Sequence, residues 1–307
     1  MLKNLNIALL LILLLVTVAC EDNQPVELVD ETTGEEDSEL EVNVLGLEAD
    51  TTGTALAADT TGLISSESSR FAASMIVTGV QFDFPGEHHE VSFAHAIFLD
   101  LRDPVWLMGR VIGFKSLDLG RMFLDGLQLH RTPYRIRRNI PPLADSLAGV
   151  RYGLLNVDGQ GDSNFQYVPH HAYTWTIEGK TRIEPQSVLI KSPGRVNIVS
   201  PRPETSLSKD HSLEIVWTDE RPQTMIISGL NTGTGEGARP LLRIRIPKRI
   251  PRIIIPAKVM RLLPTDRFEM FQFTFEASIQ REILIPGYLD KILLRVASVH
   301  NVLVRIR

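Results

Sequence analysis

Residues 90–101 read EVSFAHAIFLDL, and apolar side chains occupy nearly every second position of this stretch. Side chains alternate between the two faces of a β-strand, whereas an α-helix repeats its apolar positions every three or four residues. On a strand, one face would carry Val91, Phe93, His95, Ile97, Leu99 and Leu101. The stretch therefore predicts a strand that turns one face toward a core.

The same period of two recurs along most of the chain. It is clearest at residues 171–177 (HAYTWTI), 240–247 (PLLRIRIP) and 300–307 (HNVLVRIR). Stretches rich in Gly, Pro, Asn and Asp separate such runs, at residues 84–87, 157–164, 231–237 and 284–288. Short strands joined by turn residues, without long amphipathic helices, are typical of antiparallel β-sandwiches. We therefore predict an all-β fold with two antiparallel β-sandwich domains.

Charge divides the chain into an acidic part and a basic part. Residues 21–69 hold 14 of the 37 Asp and Glu and no Lys or Arg, whereas all but one of the 32 Lys and Arg follow residue 69. An acidic segment rich in Thr, Gly and Ser buries too little apolar surface to fold. We predict a disordered acidic tether over residues 20–66, followed by folded domains over 67–194 and 195–307. Pro193, Pro201 and Pro203 mark the boundary between the two domains.

The N-terminus has the features of a secretory signal peptide over residues 1–19. Lys3 precedes 13 almost wholly apolar residues, 7–19, and small Ala19 stands directly before Cys20. A membrane-spanning helix needs about 20 apolar residues, so this run is too short to cross a bilayer. Cys20 is the one cysteine of the chain, so it has no partner for an intramolecular disulfide.

The stretch 17–20, TVAC, resembles the lipobox of bacterial lipoproteins. The resemblance implies cleavage before Cys20 and acylation of that residue, which would anchor the protein to a membrane without a transmembrane helix. It also implies a bacterial cell-envelope location, at the outer membrane and facing the periplasm or the cell surface. The acylated Cys20 would be the membrane anchor, and the covalent lipid is the one modification that the sequence implies.

The C-terminal part resembles immunoglobulin-like and fibronectin type III-like domains. Residues 213–219 (LEIVWTD) look like an early strand with a buried Trp. Residues 253–278 look like the later half of such domains, where a strand ends in Ile-Pro, one helical turn follows, and a long strand comes next. This resemblance implies a fold for residues 195–307 and carries no activity.

Histidines and acids suggest one candidate metal site. His88 and His89 stand between Glu87 and Glu90, and His171 belongs to a second histidine pair. Imidazole and carboxylate groups suit zinc and similar divalent ions, so we name His88, His89 and His171 as possible ligands. Adjacent residues on a strand face opposite ways, however, so either His88 or His89 would join such a site, not both. The competing interpretation is that these histidines are ordinary structural residues that bind no metal.

Two surface features suggest binding instead. Arg243, Arg245 and Arg305 alternate with apolar residues, so they would share a solvent-facing side if their strands were neighbours. Guanidinium groups suit carboxylates and phosphates, and Trp106 in a loop could stack against a sugar. A solvated sheet face and ordinary core packing are the competing interpretations.

The sequence leaves three hypotheses for function. We found neither a G-x-S-x-G nucleophile motif nor a phosphate-binding loop with its Lys-Ser/Thr, and therefore predict a protein that is not an enzyme. The first hypothesis is a lipid-anchored structural or protein-interaction module that binds another envelope protein. The second is a carbohydrate- or polyanion-binding lipoprotein, and the third is a metal-dependent envelope enzyme. We do not expect nucleic acid as a partner.

Overall fold

The structure is a computed structural model that describes residues 40–45, 71–136, 146–161, 165–180, 183–203, 205–231, 238–248 and 250–307. These residues form an all-β fold, as predicted, with one short helix. The strands are β1 Glu41–Val44, β2 Ala73–Phe84, β3 Glu87–Leu107, β4 Arg110–Ser116, β5 Met122–Leu124, β6 Leu127–Gln128, β7 His130–Ile136, β8 Ser146–Val157, β9 Gln160–Gly161, β10 Ala172–Ile177, β11 Gln186–Lys191, β12 Val196–Ser200, β13 Ser206–Leu207, β14 Leu213–Asp219, β15 Thr224–Leu230, β16 Arg239–Arg245, β17 Arg252–Ile255, β18 Met270–Ile283 and β19 Ile292–Ile306. The helix α1, Ala257–Met260, follows Pro256 directly after β17, where a helical turn was expected.

One large sheet of 12 strands organises the molecule. Its main path runs β1-β16-β15-β18-β19-β2-β3-β8-β7, and β4, β9 and β13 pair at its margins. Neighbours along this path are antiparallel except β19 and β2, which run parallel over 11 residue pairs from Ile292–Ala73 to Val302–Asp83. The parallel pair joins the C-terminal strands to the first long strand of the folded part.

Two smaller sheets pack on the same face of the large sheet, which we call the front face. The four-stranded sheet β11-β10-β5-β6 encloses one apolar core, in which Trp175 and Phe98 are fully buried. The three-stranded sheet β12-β14-β17 encloses the other core, which contains Trp217 and Phe273. Each core thus lies between two sheets that pack face to face, as expected for strands whose apolar and polar residues alternate.

The two cores share strands instead of belonging to separate units. Even-numbered residues of β19 face the front, and Ile292 and Val296 enter the core that contains Trp175. Val302 and Ile306, farther along the same strand, enter the core that contains Trp217. The predicted boundary between residues 194 and 195 therefore does not separate two sheets.

One strand lies inside the segment predicted as a tether. Residues 41–44 pair with β16 at the edge of the large sheet, from Glu41–Arg245 to Val44–Leu242. Val42 is almost completely buried against the core that contains Trp217. The prediction of disorder is therefore wrong for these four residues, because burial of Val42 and edge pairing stabilise a strand within the acidic stretch.

Candidate functional site

The opposite side of the large sheet, the back face, carries a groove with a volume of about 890 Å³. It lies across β16, β15 and β18, with Glu41 and Asn43 of β1 at its rim. Arg243 and Arg245 point into it because they alternate with Leu242, which is buried on the front face. We call this feature the cationic groove.

Positive charge predominates in the cationic groove. Among the described residues that line it, two carboxylates face five cations, which are Arg221, Arg243, Arg245, Lys248 and Arg295. The carboxylates are Glu41, whose Oε2 lies 3.4 Å from Arg245 Nη1, and Glu276, which forms an ion pair with Arg295. The first pair is exposed, whereas both partners of the second are largely buried at the floor. A concave surface with this balance concentrates anions.

Arg221 shapes the groove wall. Its Nη1 donates hydrogen bonds to the carbonyl oxygens of Pro222 at 3.1 Å, Ile246 at 2.9 Å and Pro247 at 3.1 Å. One guanidinium nitrogen thus holds the chain that follows β16, and the exposed Lys248 comes next along that chain. Arg221 therefore positions Lys248 and contributes charge.

The other two residues of the predicted ligand surface lie elsewhere. Arg305 is on the back face, but at the far end of β19, where its Nε lies 3.3 Å from Met270 Sδ. Trp106 lies on β3 and not in a loop as predicted, and it is exposed near the β3–β4 turn. The structure thus brings Arg243 and Arg245 together in the groove and leaves Arg305 and Trp106 outside it.

His88 belongs to a chain of hydrogen-bonded side chains on the front face. Its Nδ1 lies 2.6 Å from Asp83 Oδ1, and Asp83 Oδ2 lies 2.8 Å from Nε2 of buried His300. The backbone N–H of Ile198 donates to His300 Nδ1 at 3.0 Å, which leaves the Nε2 proton of His300 to bind Asp83. The hydrogen bond from His300 is the main cause that lowers the pKa of Asp83 below its usual 3.8. Asp83 therefore ties β2, β3 and β19 together.

His89 and His171 each stabilise a tight turn. His89 Nδ1 lies 2.8 Å from Asp158 Oδ2, and the N–H of Glu90 donates to Asp158 Oδ1 at 2.7 Å. Asp158 and Gly159 are the two residues of the β8–β9 turn, and both have positive φ. This hydrogen bond raises the pKa of His89 and lowers that of Asp158. The pair thus weakens as pH falls through the Asp158 pKa or rises through the His89 pKa.

The β5–β6 turn repeats this arrangement with Asp125. Asp125 and Gly126 again have positive φ, which suits a two-residue hairpin turn. His171 Nε2 lies 2.8 Å from Asp125 Oδ2, and the N–H of Thr174 donates to Asp125 Oδ1 at 2.7 Å. His171 therefore has the same structural role at one hairpin that His89 has at another.

The predicted metal ligands are not assembled into one site. His88 faces the front and pairs with Asp83, while His89 faces the back and pairs with Asp158. His171 takes a third carboxylate, Asp125. Within the described part of the chain, no group of three or more His, Cys, Asp or Glu side chains is placed to hold a metal ion.

The Asp83 network predicts an acid-sensitive contribution to stability. At neutral pH we expect Asp83→Asn to lower the free energy of unfolding by roughly 1–3 kcal/mol, because a hydrogen-bonded charge is lost beside buried His300. A carboxyl whose folded pKa is depressed stabilises the fold above its unfolded pKa, and this contribution disappears as pH falls through the folded pKa. The wild type and the variant should therefore converge in acid. Urea denaturation at a series of pH values measures this difference.

Asp210→Asn is the control for that experiment, since Asp210 is exposed and its carboxylate bonds to exposed Arg261. It should change stability by less than about 0.5 kcal/mol at any pH. A difference between wild type and Asp83→Asn that stays constant into acid would contradict a role for the ionised carboxylate.

Several residues of these sites escaped the sequence analysis. Asp83 and His300 stand 217 positions apart, and only the β19–β2 pairing brings them together. Glu276 and Arg221 reach the groove from a neighbouring strand and a loop. The sequence does show which acidic and basic residues could face the same side of a strand. It does not show which strands are neighbours, so it could not pair these residues with one another.

The predicted lipid-bearing Cys20 and the signal peptide over 1–19 lie outside the described residues. Among the described residues, no helix is long and apolar enough to cross a membrane. Comparison with protein-family models, with curated proteins and with solved structures finds no match for this chain. The fold and the cationic groove are therefore the basis for assigning a function.

Proposed function

We propose that this protein is a non-catalytic binding protein, anchored in the bacterial cell envelope, that holds an acidic glycan in the cationic groove. The observation that carries the proposal is the excess of five cations over two carboxylates among the described residues that line one open groove of about 890 Å³. This volume is within the range of pockets that hold small ligands, so it accommodates a few sugar units of a polymer that continues beyond its ends.

The lining suits a polymer with both carboxylates and hydroxyl groups. Arg243 and Arg245 would bind carboxylates, since a planar guanidinium matches both oxygens of a carboxylate. Gln223, Ser278 and Gln280 line the same groove, and their amide and hydroxyl groups can hydrogen-bond to sugar hydroxyls. Charge alone would suit any anion, whereas this combination favours an acidic glycan.

Arg245 is the best placed of these residues for direct contact with a ligand. Its side chain is exposed, and its contact with Glu41 at 3.4 Å is long for a charge-assisted hydrogen bond. Such an exposed pair contributes little to stability, so exchanging Glu41 for a ligand carboxylate costs little. The buried Glu276–Arg295 pair would remain as the floor of the site.

The test is binding of oligogalacturonate, an acidic glycan, with neutral dextran as the comparison ligand. We expect the variant Arg243→Ser, Arg245→Ser, Lys248→Ser to bind the acidic glycan roughly 100-fold more weakly, because up to three charge-assisted contacts are removed. Wild-type affinity should fall as salt is raised, and the variant should lose most of this dependence. Isothermal titration calorimetry measures both quantities.

The matched control removes three arginines outside the groove. Arg252→Ser, Arg261→Ser, Arg305→Ser changes the net charge by the same amount, and none of these residues lines the groove. If this control weakened binding as much as the groove variant, the affinity would come from overall charge and the groove would not be the site. Equal binding of dextran and the acidic glycan would also contradict the proposal.

The anchoring part of the proposal depends on Cys20. The lipobox-like stretch 17–20 supports it, and Cys20→Ser removes the thiol that would carry the lipid. In bacterial cells we expect the wild type in the membrane fraction and metabolically labelled with a fatty acid. The Cys20→Ser variant should lose the label, and a label that persists would contradict acylation at this residue.

A further inference from the structure

Exposed apolar side chains are concentrated at one end of the large sheet. Among the described residues, the five most exposed large hydrophobic side chains range from 61% to 83% exposed. They are Trp106, Met108, Leu147, Leu284 and Leu289. Single exposed apolar residues are common on protein surfaces, but a concentration at one end marks an interaction surface.

Strand register places these residues at the same end. The β18–β19 hairpin closes at the pair Ile283–Ile292, so Leu284 and Leu289 lie in its loop. Ile292 is level with Ala73 of β2, and Ala73 is level with Phe98 of β3. The loop of this hairpin therefore lies at the end of the sheet that β3 reaches at Phe98.

The other three residues extend beyond that row. β3 continues past Phe98 to the turn at Met108, and Trp106 lies just before this turn. β8 runs antiparallel to β3, with Tyr152 opposite Ala96, so Leu147 lies toward the same end. We call the surface formed by the five side chains the apolar end.

Contacts between the hairpins hold part of the apolar end in place. The hydroxyl of Tyr288 donates to the carbonyl oxygen of Leu99 at 2.8 Å, and its ring packs edge-on against Phe98 at a centroid distance of 5.8 Å. These contacts join the β18–β19 loop, with Leu284 and Leu289, to β3. The exposed leucines thus project from a rigid support.

Met108 is not explained by the turn that contains it. Met108 and Gly109 form a two-residue turn with φ of 48° and 76°, nearly the values of the Asp125–Gly126 and Asp158–Gly159 turns. In those turns the Asp carboxylate accepts two hydrogen bonds, and Asp tolerates positive φ better than Met does. Local folding thus favours Asp or Asn at position 108, so the exposed thioether points to a role outside the fold.

The path of the chain indicates what faces the apolar end. On β1, Glu41 is level with Val299 of β19, and Val44 is level with Val302. Going back from Val44 to Glu41 therefore leads toward Ile292, which is the apolar end. Cys20 precedes Leu40 by 20 residues, and a chain of that length reaches up to about 65 Å when extended.

We propose that the apolar end inserts into the lipid bilayer, so that Trp106, Met108 and the two leucines of the β18–β19 loop orient the anchored protein on the membrane. Trp and Leu at projecting tips suit the interface between headgroups and acyl chains. Three nearby cations are paired: Arg102 with Asp100 at 2.9 Å, Lys115 with Asp103 at 3.0 Å and Lys291 with Glu282 at 2.5 Å. Exposed Arg110, directly after the turn, forms no ion pair with another described residue. Insertion would therefore depend mainly on apolar burial, and Arg110 would add attraction to anionic headgroups.

The orientation has a consequence for the cationic groove. Arg245 is level with Val299, seven residues along β19 from Ile292, which is roughly 23 Å from the apolar end at the usual rise per strand residue. The groove would thus stand clear of the headgroups and remain open to a polymer. The insertion rests on the anchoring in the proposed function, but it does not depend on which ligand the groove binds.

Tryptophan fluorescence of the full chain on phosphatidylcholine vesicles tests the insertion. Trp175 and Trp217 are buried, so quenching by brominated phosphatidylcholine reports on Trp106. We expect strong quenching on phosphatidylcholine alone that persists at high salt, with a modest increase when half of the lipid is phosphatidylglycerol, because Arg110 attracts anionic headgroups. The variant Met108→Asn, Leu284→Ser, Leu289→Ser should be quenched at least about fivefold less, because little apolar surface remains to hold Trp106 in the bilayer.

The control variant Leu189→Ser, Ile254→Ser removes exposed apolar residues from the two smaller sheets and should be quenched like the wild type. Met108→Asn favours its turn, so a folding defect is not expected from that change. Flotation with vesicles reports the anchor separately, so a protein that floats without quenching would refute the insertion and leave the anchoring intact. Dimers crosslinked through Met108→Cys, in place of quenching, would also overturn the proposal, since a second copy would then cover this end.

Discussion

Replacing Arg295 with alanine should lower the free energy of unfolding by about 3–5 kcal/mol, one of the largest effects of any single change in this protein. Arg295 of β19 forms an ion pair with Glu276 of β18, and each side chain is only 12% exposed. The variant would leave the Glu276 carboxylate buried without its cation. Guanidinium chloride denaturation, followed by circular dichroism, measures the loss.

A double variant separates the cost of the unpaired charge from the value of the pair itself. Among the described residues, Nε of Arg295 has no hydrogen-bond partner, so the guanidinium group is incompletely satisfied. Replacing both residues with apolar ones, Arg295→Met with Glu276→Leu, should therefore recover all but roughly 1 kcal/mol of the loss. A double variant as unstable as Arg295→Ala would show that the buried carboxylate is not the cause.

Arg252→Ala is the control, because Arg252 pairs with Glu214 on the surface and both side chains are exposed. Exposed ion pairs contribute less than about 1 kcal/mol, so this variant should remain close to the wild type. An Arg295→Ala variant that is no less stable than Arg252→Ala would refute the importance of the buried pair.

Replacing Gly79 with alanine should lower the free energy of unfolding by about 2–3 kcal/mol through overpacking. A Cβ at position 79 would lie 2.3 Å from Cγ of Tyr167, far inside van der Waals contact. Tyr167 has little freedom to move away, because its N–H donates to Ser92 Oγ at 2.9 Å and its hydroxyl donates to the Pro193 carbonyl at 3.0 Å. The ring thus packs directly on the glycine backbone of β2.

Gly153→Ala is the matched control, since the nearest atom to its added Cβ is the Ala94 carbonyl oxygen at 3.6 Å. This change should alter the free energy of unfolding by less than about 1 kcal/mol. The added Cβ is at ordinary van der Waals distance, and alanine gives the unfolded chain less conformational entropy to lose on folding than glycine does. Thermal unfolding of the two variants distinguishes them. If both alanines had the same effect, glycine entropy would explain the result and the Tyr167 contact would not.

Gly229 provides a repeat of the Gly79 arrangement in the other core. A Cβ at this position would lie 2.4 Å from Cγ of Phe268. An aromatic ring thus lies over a strand glycine in each half of the molecule. Nothing in the local sequence indicated either ring, because Tyr167 and Phe268 stand far from their glycines along the chain.

The prediction of the strands was largely correct because their signal is local. The stretch 90–101 lies entirely in β3, and 300–307 overlaps the end of β19. Asp158 and Gly159 form the turn expected from a Gly/Asp-rich segment. The error at Glu41–Val44 arose because composition averaged over a long acidic stretch conceals four residues that a neighbouring strand stabilises.

The candidate site was predictable only in part, because a local pattern gives the face of each strand but not which strands are neighbours. Alternation with Leu242 places Arg243 and Arg245 on one face, which the sequence predicted. The association with Arg305 was not borne out, because that residue is on the same face but distant along β19. His88 and His89 were separated by the same alternation, while the carboxylate partners of the histidines came from turns and strands that no local pattern identifies.

The sequence by itself determined that this is an all-β protein and which side chains of each strand share a face, because alternation is a property of neighbouring residues. The tertiary structure alone decided that β19 pairs in parallel with β2, that two cores share one sheet, and that five cations meet in one groove. Strand order depends on the total apolar surface buried against the entropy of closing long loops, and both are properties of the whole chain.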